Sequence, residues 1–563
     1  MIKIPDQDKR LVQVPQSDVL GNIHGSYNLD LTSNRGRIRV GNATRPATTS
    51  TQVTFGSTSS NEQVNMGLPS GFAYFSPTAR AGWYAACSGR VFKGSTNAGG
   101  SFVQDSVTGT PTDLNEDSDI IEFNSKLYVT SDNLYSLAST GNWSSQSLSG
   151  RGGSATIYAN RLYFKNLSSK VVSLDTSDVL STSGAYTIQL GDSTANNITT
   201  IRASSNRIWI ATLNRKFKQA TVYEWDGVTE NVSNRAINVN ASGILAMAIK
   251  DDVPWVLDNE GVLREFNGSR FVERARLPID PNYYFNNMAS SDTGGVRFVH
   301  PNGMTVHNGR IQILINGKLA DSSYSEIIPS GVWEYDESVG LYHKHSISYN
   351  NSFGQFKVNR VGALMSSKKE VDSGGNLLIG ADVVGNIKGV WYNDAFETES
   401  KSGYLITPKL ESQRIQDTWQ KVWCKYKESA EIVVKYRVED EQSDIFDITW
   451  TDGDTFTSTD DLSNYEVGDE VEVLSGQGGI SHITAISASG GTYTVEVDET
   501  VTGLTGSAEA RLSKWIKLGK MTDKMYHELS IGKPATWLQL KIVMYFDGSN
   551  EIEEIIIERE THQ

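Results

Sequence analysis

The stretch NRIWIATLNRKFKQATVYEWDG, Asn206 to Gly227, carries two apolar runs, Ile208-Trp209-Ile210 and Val222-Tyr223-Glu224-Trp225. A polar corner precedes the first run, and the second ends at Asp226-Gly227, a strong tight-turn pair. The reading is two strands. The same phrase recurs along the chain. Corresponding pairs are Trp83-Tyr84 with Val91-Phe92, Leu127-Tyr128-Val129 with Leu134-Tyr135, and Leu162-Tyr163-Phe164 with Val171-Val172. Further on come Trp255-Val256-Leu257 with Val262-Leu263, Ile311-Gln312-Ile313 with Val332-Trp333, and Leu377-Leu378-Ile379 with Val390-Trp391.

Polar turns introduce most first strands, as at Asn124-Ser125, Asn160-Arg161, Asp251-Asp252 and Asn308-Gly309. Units of this kind, spaced by roughly 45 residues, have the period of a propeller blade of four short strands. A lone hairpin is barely stable in water, whereas radially packed sheets bury each other's faces and leave only short edges. The pattern predicts an all-β chain with a β-propeller of six to eight blades over residues 61–400. A solenoid would need a shorter, stricter period, and a sandwich would not need seven matching units.

Ahead of the propeller, residues 1–60 form an arm in which Arg37-Ile38-Arg39-Val40 alternates like an edge strand. Two roles stay open for it: closing the last blade, or reaching a neighbouring subunit. After the propeller, VWCKYK and EIVVKYRVE, then WLQLKIVMYF and EIEEIIIERE, alternate like a half-buried antiparallel sheet. They predict a β-sandwich over 401–450 and 510–563. Between its halves, 451–509 reads as a small inserted acidic β-barrel. That segment holds twelve Asp and Glu and no Lys or Arg, leaving only −3 of the net −15 for the rest of the chain. A charge discontinuity at both ends of a strand-rich segment marks an insertion at a loop tip.

Bulk composition excludes several classes. With 38% hydrophobic and 21% charged residues, the 563-residue chain is a folded protein of more than one core. No dense basic face points to phosphate binding. The two cysteines, Cys87 and Cys424, build neither a disulfide scaffold nor a zinc site and read as small buried hydrophobes. The N-terminus lacks the apolar core of a signal peptide, and no run is long enough to span a membrane. The triplets at Asn142, Asn166 and Asn231 therefore carry no expectation of glycosylation.

Candidate chemistry is sparse. Asp113, Asn115, Asp117 and Asp119 alternate as calcium ligands do, but the loop lacks the glycine at its sixth position and ends on Asn124 in place of Glu. A solvated acidic turn is the default. His343 and His345 share one strand face without a third ligand, which favours a surface strand over a metal site. Trp225, Trp333 and Trp391 read as inter-blade core before they read as a sugar platform. Ser95 to Phe102, STNAGGSF, resembles one degenerate Asp-box turn of sialidase propellers. In the insert, Asp460-Asp461 and Asp469-Glu470 are carboxylate pairs open to divalent cations, to solvation, or to facing a DNA passage. No nucleophile elbow, HExxH helix or P-loop occurs, so no catalytic residue and no cofactor is expected.

The order of parts, an arm with NLDLTSNRGRIRVG, a propeller without catalytic motifs and an interrupted sandwich, resembles virion structural proteins of tailed bacteriophages. The closest style is that of tail nozzle and hub proteins of short-tailed phages. The likeness covers most of the chain and rests on domain order, without a diagnostic motif. It implies a non-enzymatic subunit, made in the host cytoplasm and residing in the virion tail. Its partners would be copies of itself in a ring, other tail proteins, and DNA as non-specific cargo. A carbohydrate- or receptor-binding propeller is the alternative, and a sialidase-like glycosidase a more distant one.

Overall fold

The computed structural model describes residues 66–562 except for connecting segments, the longest being 278–297, 318–327, 348–357, 368–376 and 394–401. Of the first 65 residues it describes strands 9–14, 25–27, 29–30, 38–40 and 44–46. Seven antiparallel sheets make seven blades. Their inner strands are Pro69–Phe75, Asp119–Phe123, Gly152–Tyr158, Asn197–Ala203, Ile244–Lys250, Met304–His307 and Val358–Ser366. Each inner strand contacts the next, and the seventh contacts the first, so the blades close a ring. Three further strands run outward in each blade; in blade 3 the outermost is split into Leu180–Ser181 and Ile188–Gln189.

Local chemistry sets the hairpins. In blades 2, 3, 5 and 6 the first turn places two residues in the left-handed region: Asn124-Ser125, Ala159-Asn160, Asp251-Asp252 and Asn308-Gly309. Such two-residue turns match the right-handed twist of the strands they join. The strand pairs legible in the sequence are the second and third of each blade. They are buried on both faces because each blade packs against two neighbours. Seven apolar clusters fill the seven gaps, from Tyr84, Val91 and Ile120 between blades 1 and 2 to Phe72, Trp83 and Leu378 between blades 1 and 7. Trp225, Trp333 and Trp391 each sit in such a gap, at most 2% exposed.

The N-terminal segment closes the ring. Thr44–Pro46 is the outermost strand of blade 7, antiparallel to Ile387–Asn393. Upstream, the same segment is woven into the sandwich. Lys9–Val14 and Ile38–Val40 pair with the last strand, Glu551–His562, and Gly25–Tyr27 pairs with Ser402–Ile406. Of the two roles open to the arm, its strand Thr44–Pro46 takes that of closing the last blade.

The sandwich encloses Trp419, Val422, Ile432, Val434, Leu540, Ile542 and Ile555. Blade 6 contributes the fully buried Tyr342 to this core, so propeller and sandwich share packing. The insert is a closed six-stranded barrel around Phe446, Trp450, Phe456, Val471 and Val495. Its first strand, Ile445–Trp450, precedes the acidic run, and its last, Gly506–Leu512, outlasts it. The barrel thus takes in residues that the charge pattern places in the 401–450 and 510–563 halves of the sandwich. Closure required the strand Ile445–Trp450 before the run and the end of Gly506–Leu512 beyond it, which the charge boundary alone does not mark.

Where blade 7 meets blade 1, backbones approach too closely for side chains. A Cβ on Gly362 would lie 1.9 Å from the Pro69 carbonyl oxygen, and one on Gly380 2.7 Å from the same atom. Gly362→Ala is expected to lower unfolding stability by about 3 kcal/mol, as overpacking of a tight core does. Gly490→Ala, where a Cβ would meet nothing, reports only the strain of its positive φ. Urea midpoints of the two variants check this.

Candidate functional site

Polar side chains collect on the propeller axis. The turn before blade 6 carries His300 and Asn302, both buried. Asn302 Nδ2 donates to the Ser70 carbonyl in blade 1 (2.8 Å), and Asn302 Oδ1 accepts from Arg202 of blade 4 (2.9 Å). Its carbonyl accepts from the Leu364 N–H of blade 7 (2.8 Å). A residue bonded to strands of blades 1, 4 and 7 can only lie on the axis. Arg202 also donates to Ser154 Oγ (3.0 Å) and to the Ile201 carbonyl (2.8 Å).

Asp119 completes the knot. Its carboxylate accepts from the N–H groups of Ile120 and Ala155, each at 2.9 Å. Burial pushes the Asp119 carboxyl up, while the charge of Arg202 and these hydrogen bonds pull against it. Burial likewise pushes the Arg202 guanidinium down, countered by Asp119. Gly71 makes the room: a Cβ there would stand 2.7 Å from Asp119 Oδ1. His300 is fixed as the tautomer protonated on Nε2, because Nδ1 accepts from the Asn302 N–H (3.0 Å) while Nε2 faces the Glu116 carbonyl (2.9 Å).

Beside the axis, Arg360 of blade 7 bridges Glu116 and Asp382, with Arg360 Nε 3.1 Å from Asp382 Oδ2. Ion pairs between such connections fix blades to one another. The four residues with calcium-loop spacing are consumed separately. Asp113 accepts from the Tyr135 hydroxyl, Asn115 bonds Ser131 and caps the Asp117 N–H, and Asp119 turns inward to Arg202. They do not converge on one point. Among the described residues no three His, Cys, Asp or Glu groups are placed to hold a metal ion.

His343 and His345 are not on an exposed strand: both are buried, at 0% and 3% exposure. The arm strands Gly25–Tyr27 and Leu29–Asp30 pack against their strand, Gly340–His345, a covering that alternation alone does not reveal. His343 Nε2 meets the Ser330 carbonyl at 3.0 Å, and its ring stands edge-on to Trp333. Next to it Glu334, 1% exposed, is held by Lys344 (2.6 Å), Tyr342 and Gln312. This charged cluster, at the joint of propeller and sandwich, had no signal beyond isolated Glu and Lys in apolar strands.

The barrel carries its acids outward. Asp447, Asp452, Asp454, Asp460, Asp461, Glu496 and Glu509 are exposed. Asp447 and Glu509 stand opposite one another on paired strands, a like-charge pairing tolerated only in water. Asp460 accepts from the Asp447 N–H (2.7 Å), and Asp461 accepts from the Ser463 N–H (3.0 Å) and the Tyr493 hydroxyl (2.9 Å). Those bonds hold the Asp461 carboxyl below its ordinary range. Asp469 is half-buried; the Glu470 side chain, the Cys424 side chain and Asn97–Ser101 of the Asp-box-like stretch lie outside the described residues. Cys87 is buried and unpaired with another cysteine, and burial pushes its thiol up.

No protein-family model matches the chain, and no curated protein does. Solved structures match part of the chain at low identity. BBS1N, solved in complex with ARL6DN, is 10% identical over 59% of this chain and 94% of its own, with a TM-score of 0.37. The computationally designed Ika8 protein is 10% identical over 60% and 93%, with a TM-score of 0.35. A glucose dehydrogenase is 11% identical over 44% and 93%, with a TM-score of 0.31. Among the described residues no helix is long and apolar enough to cross a membrane.

Two outcomes are expected. Asn302→Ala, which removes the acceptor of Arg202 Nη2 and the donor to the Ser70 carbonyl, should cost about 3 kcal/mol by urea unfolding. For His343, burial pushes its pKa down to about 3. An unfolded histidine titrates near 6.5. The unfolded chain therefore binds the proton first as pH falls. The contribution of His343 is complete above about pH 6.5 and declines by up to roughly 1.4 kcal/mol per pH unit down to about pH 3. His343→Gln should flatten the stability–pH curve by that slope between pH 6 and 4.

Proposed function

We propose that the chain is a structural subunit of a phage tail, one copy of a ring or hub around a DNA exit channel, acting without catalysis or cofactor. The observation that carries this reading is the separation of roles. A near-neutral β scaffold is locked at its axis and ring closure, while the charge is set on one barrel inserted between sandwich strands. Closed propellers resist fraying, and slow unfolding is what a particle part requires. A barrel dense in exposed carboxylates repels a duplex and lets it pass without sticking. In this reading, DNA does not thread the propeller, across whose axis Arg202 and Asn302 are bonded.

The sugar-binding alternative draws less support, since the tryptophans nominated as a platform are inter-blade core. Negative-stain microscopy with mass photometry tests the proposal. Rings or defined oligomers with a central opening are expected, and they should bear the barrel towards that opening when it is labelled at Asp461→Cys. A monomer that stays monomeric with tail extracts and binds a glycan array would replace this reading by the receptor-binding one.

A further inference from the structure

We infer that residues 9–46 act as one strap that couples closure of the propeller to completion of the sandwich, so that opening either module loosens the other. The clasp on blade 7 is short. It makes three residue pairs, Thr44 with Asn393, Arg45 with Tyr392 and Pro46 with Trp391, and the proline has no N–H to donate. A three-residue edge strand does not hold itself. What holds it is tethering from both sides. Downstream, 19 residues, 47–65, connect it to the first described residue before blade 1. Upstream, only 41–43 separate it from Ile38–Val40, which is paired to Glu551 and Ile552 of the last sandwich strand.

The short tether dominates the effective concentration of the clasp. Closure probability falls as about the three-halves power of loop length, so replacing a 3-residue tether by a 19-residue one lowers it about sixteenfold. Further upstream, Gly25–Tyr27 and Lys9–Val14 are anchored on Ser402–Ile406 and Glu551–His562. These partners are made after the propeller. Blade 7 therefore receives its fourth strand in a fully held form only when the C-terminal strand has been added. The physical content is a linkage between two modules through a segment belonging to both.

Hydrogen exchange read by mass spectrometry on the full chain tests it. Val12→Pro with Arg39→Pro removes ladder bonds on the sandwich side alone. Exchange in peptides covering Ile387–Asn393 is expected to rise about sixteenfold, although both substitutions face the other module. Arg45→Pro, which breaks the clasp itself, sets the ceiling. Faster exchange confined to 551–562, with 387–393 unchanged, overturns the inference. If the double variant does not fold, the unsubstituted chain is followed in sub-denaturing urea. A shared opening isotherm for 387–393 and 551–562 supports the coupling, and two separate isotherms overturn it.

Discussion

Ring closure is the constraint on which the structure depends. An open row of sheets leaves its first and last faces wet, and here those faces are Phe72, Trp83 and Phe92 on one side and Leu378 and Val390 on the other. Only when the seventh blade reaches the first do all seven gaps become interior. Burying each large side chain stabilises by roughly 1.5–3 kcal/mol, so a break in the ring forfeits a whole cluster at once. Glycine at 362 and 380 allows that last joint to be tight, and the strand from the N-terminus gives blade 7 its fourth strand.

The axis is the second place where the blades are made to agree on one geometry. Seven inner strands converge there, and small residues recur among them, as in GGSATIY and ILAMAIK. What remains is filled by hydrogen-bonded polar groups. Arg202, Asp119 and Asn302 satisfy one another, with Asp119 and Asn302 buried and Arg202 partly so, an arrangement that is costly to break and therefore favours a single arrangement of blades. The buried Glu334 cluster repeats the device where blade 6 meets the sandwich. Together these leave the barrel as the module whose polar groups face outward.

Much of this was written in the order of residues. The second and third strands of each blade are buried on both faces, so their apolar runs stand out, and their turns need left-handed residues that Asn, Asp and Gly supply. The inner strands were harder to see because small residues recur among them. The outer ones were harder still: Ser144–Ser147 is wholly exposed and has no apolar signature. Candidate site residues fared according to their surroundings. The alternation of Asp113, Asn115, Asp117 and Asp119 looked like a ligand set, but Asp113 accepts from Tyr135, Asn115 turns back on the Asp117 N–H and Asp119 faces Arg202 once the chain is folded.

By itself, then, the sequence determined what short-range physics dictates: strands, turns, the repeat that makes a propeller, and one acidic module between two halves of a sandwich. Tertiary structure alone decided how many blades close the ring, because that depends on the angle at which neighbouring sheets pack. It also decided that His343 and His345 are interior, since the strand covering them lies some three hundred residues upstream. The same holds for Asn302, whose three partners come from blades 1, 4 and 7. A side chain's role on an axis is a property of the closed ring and has no local trace in the chain.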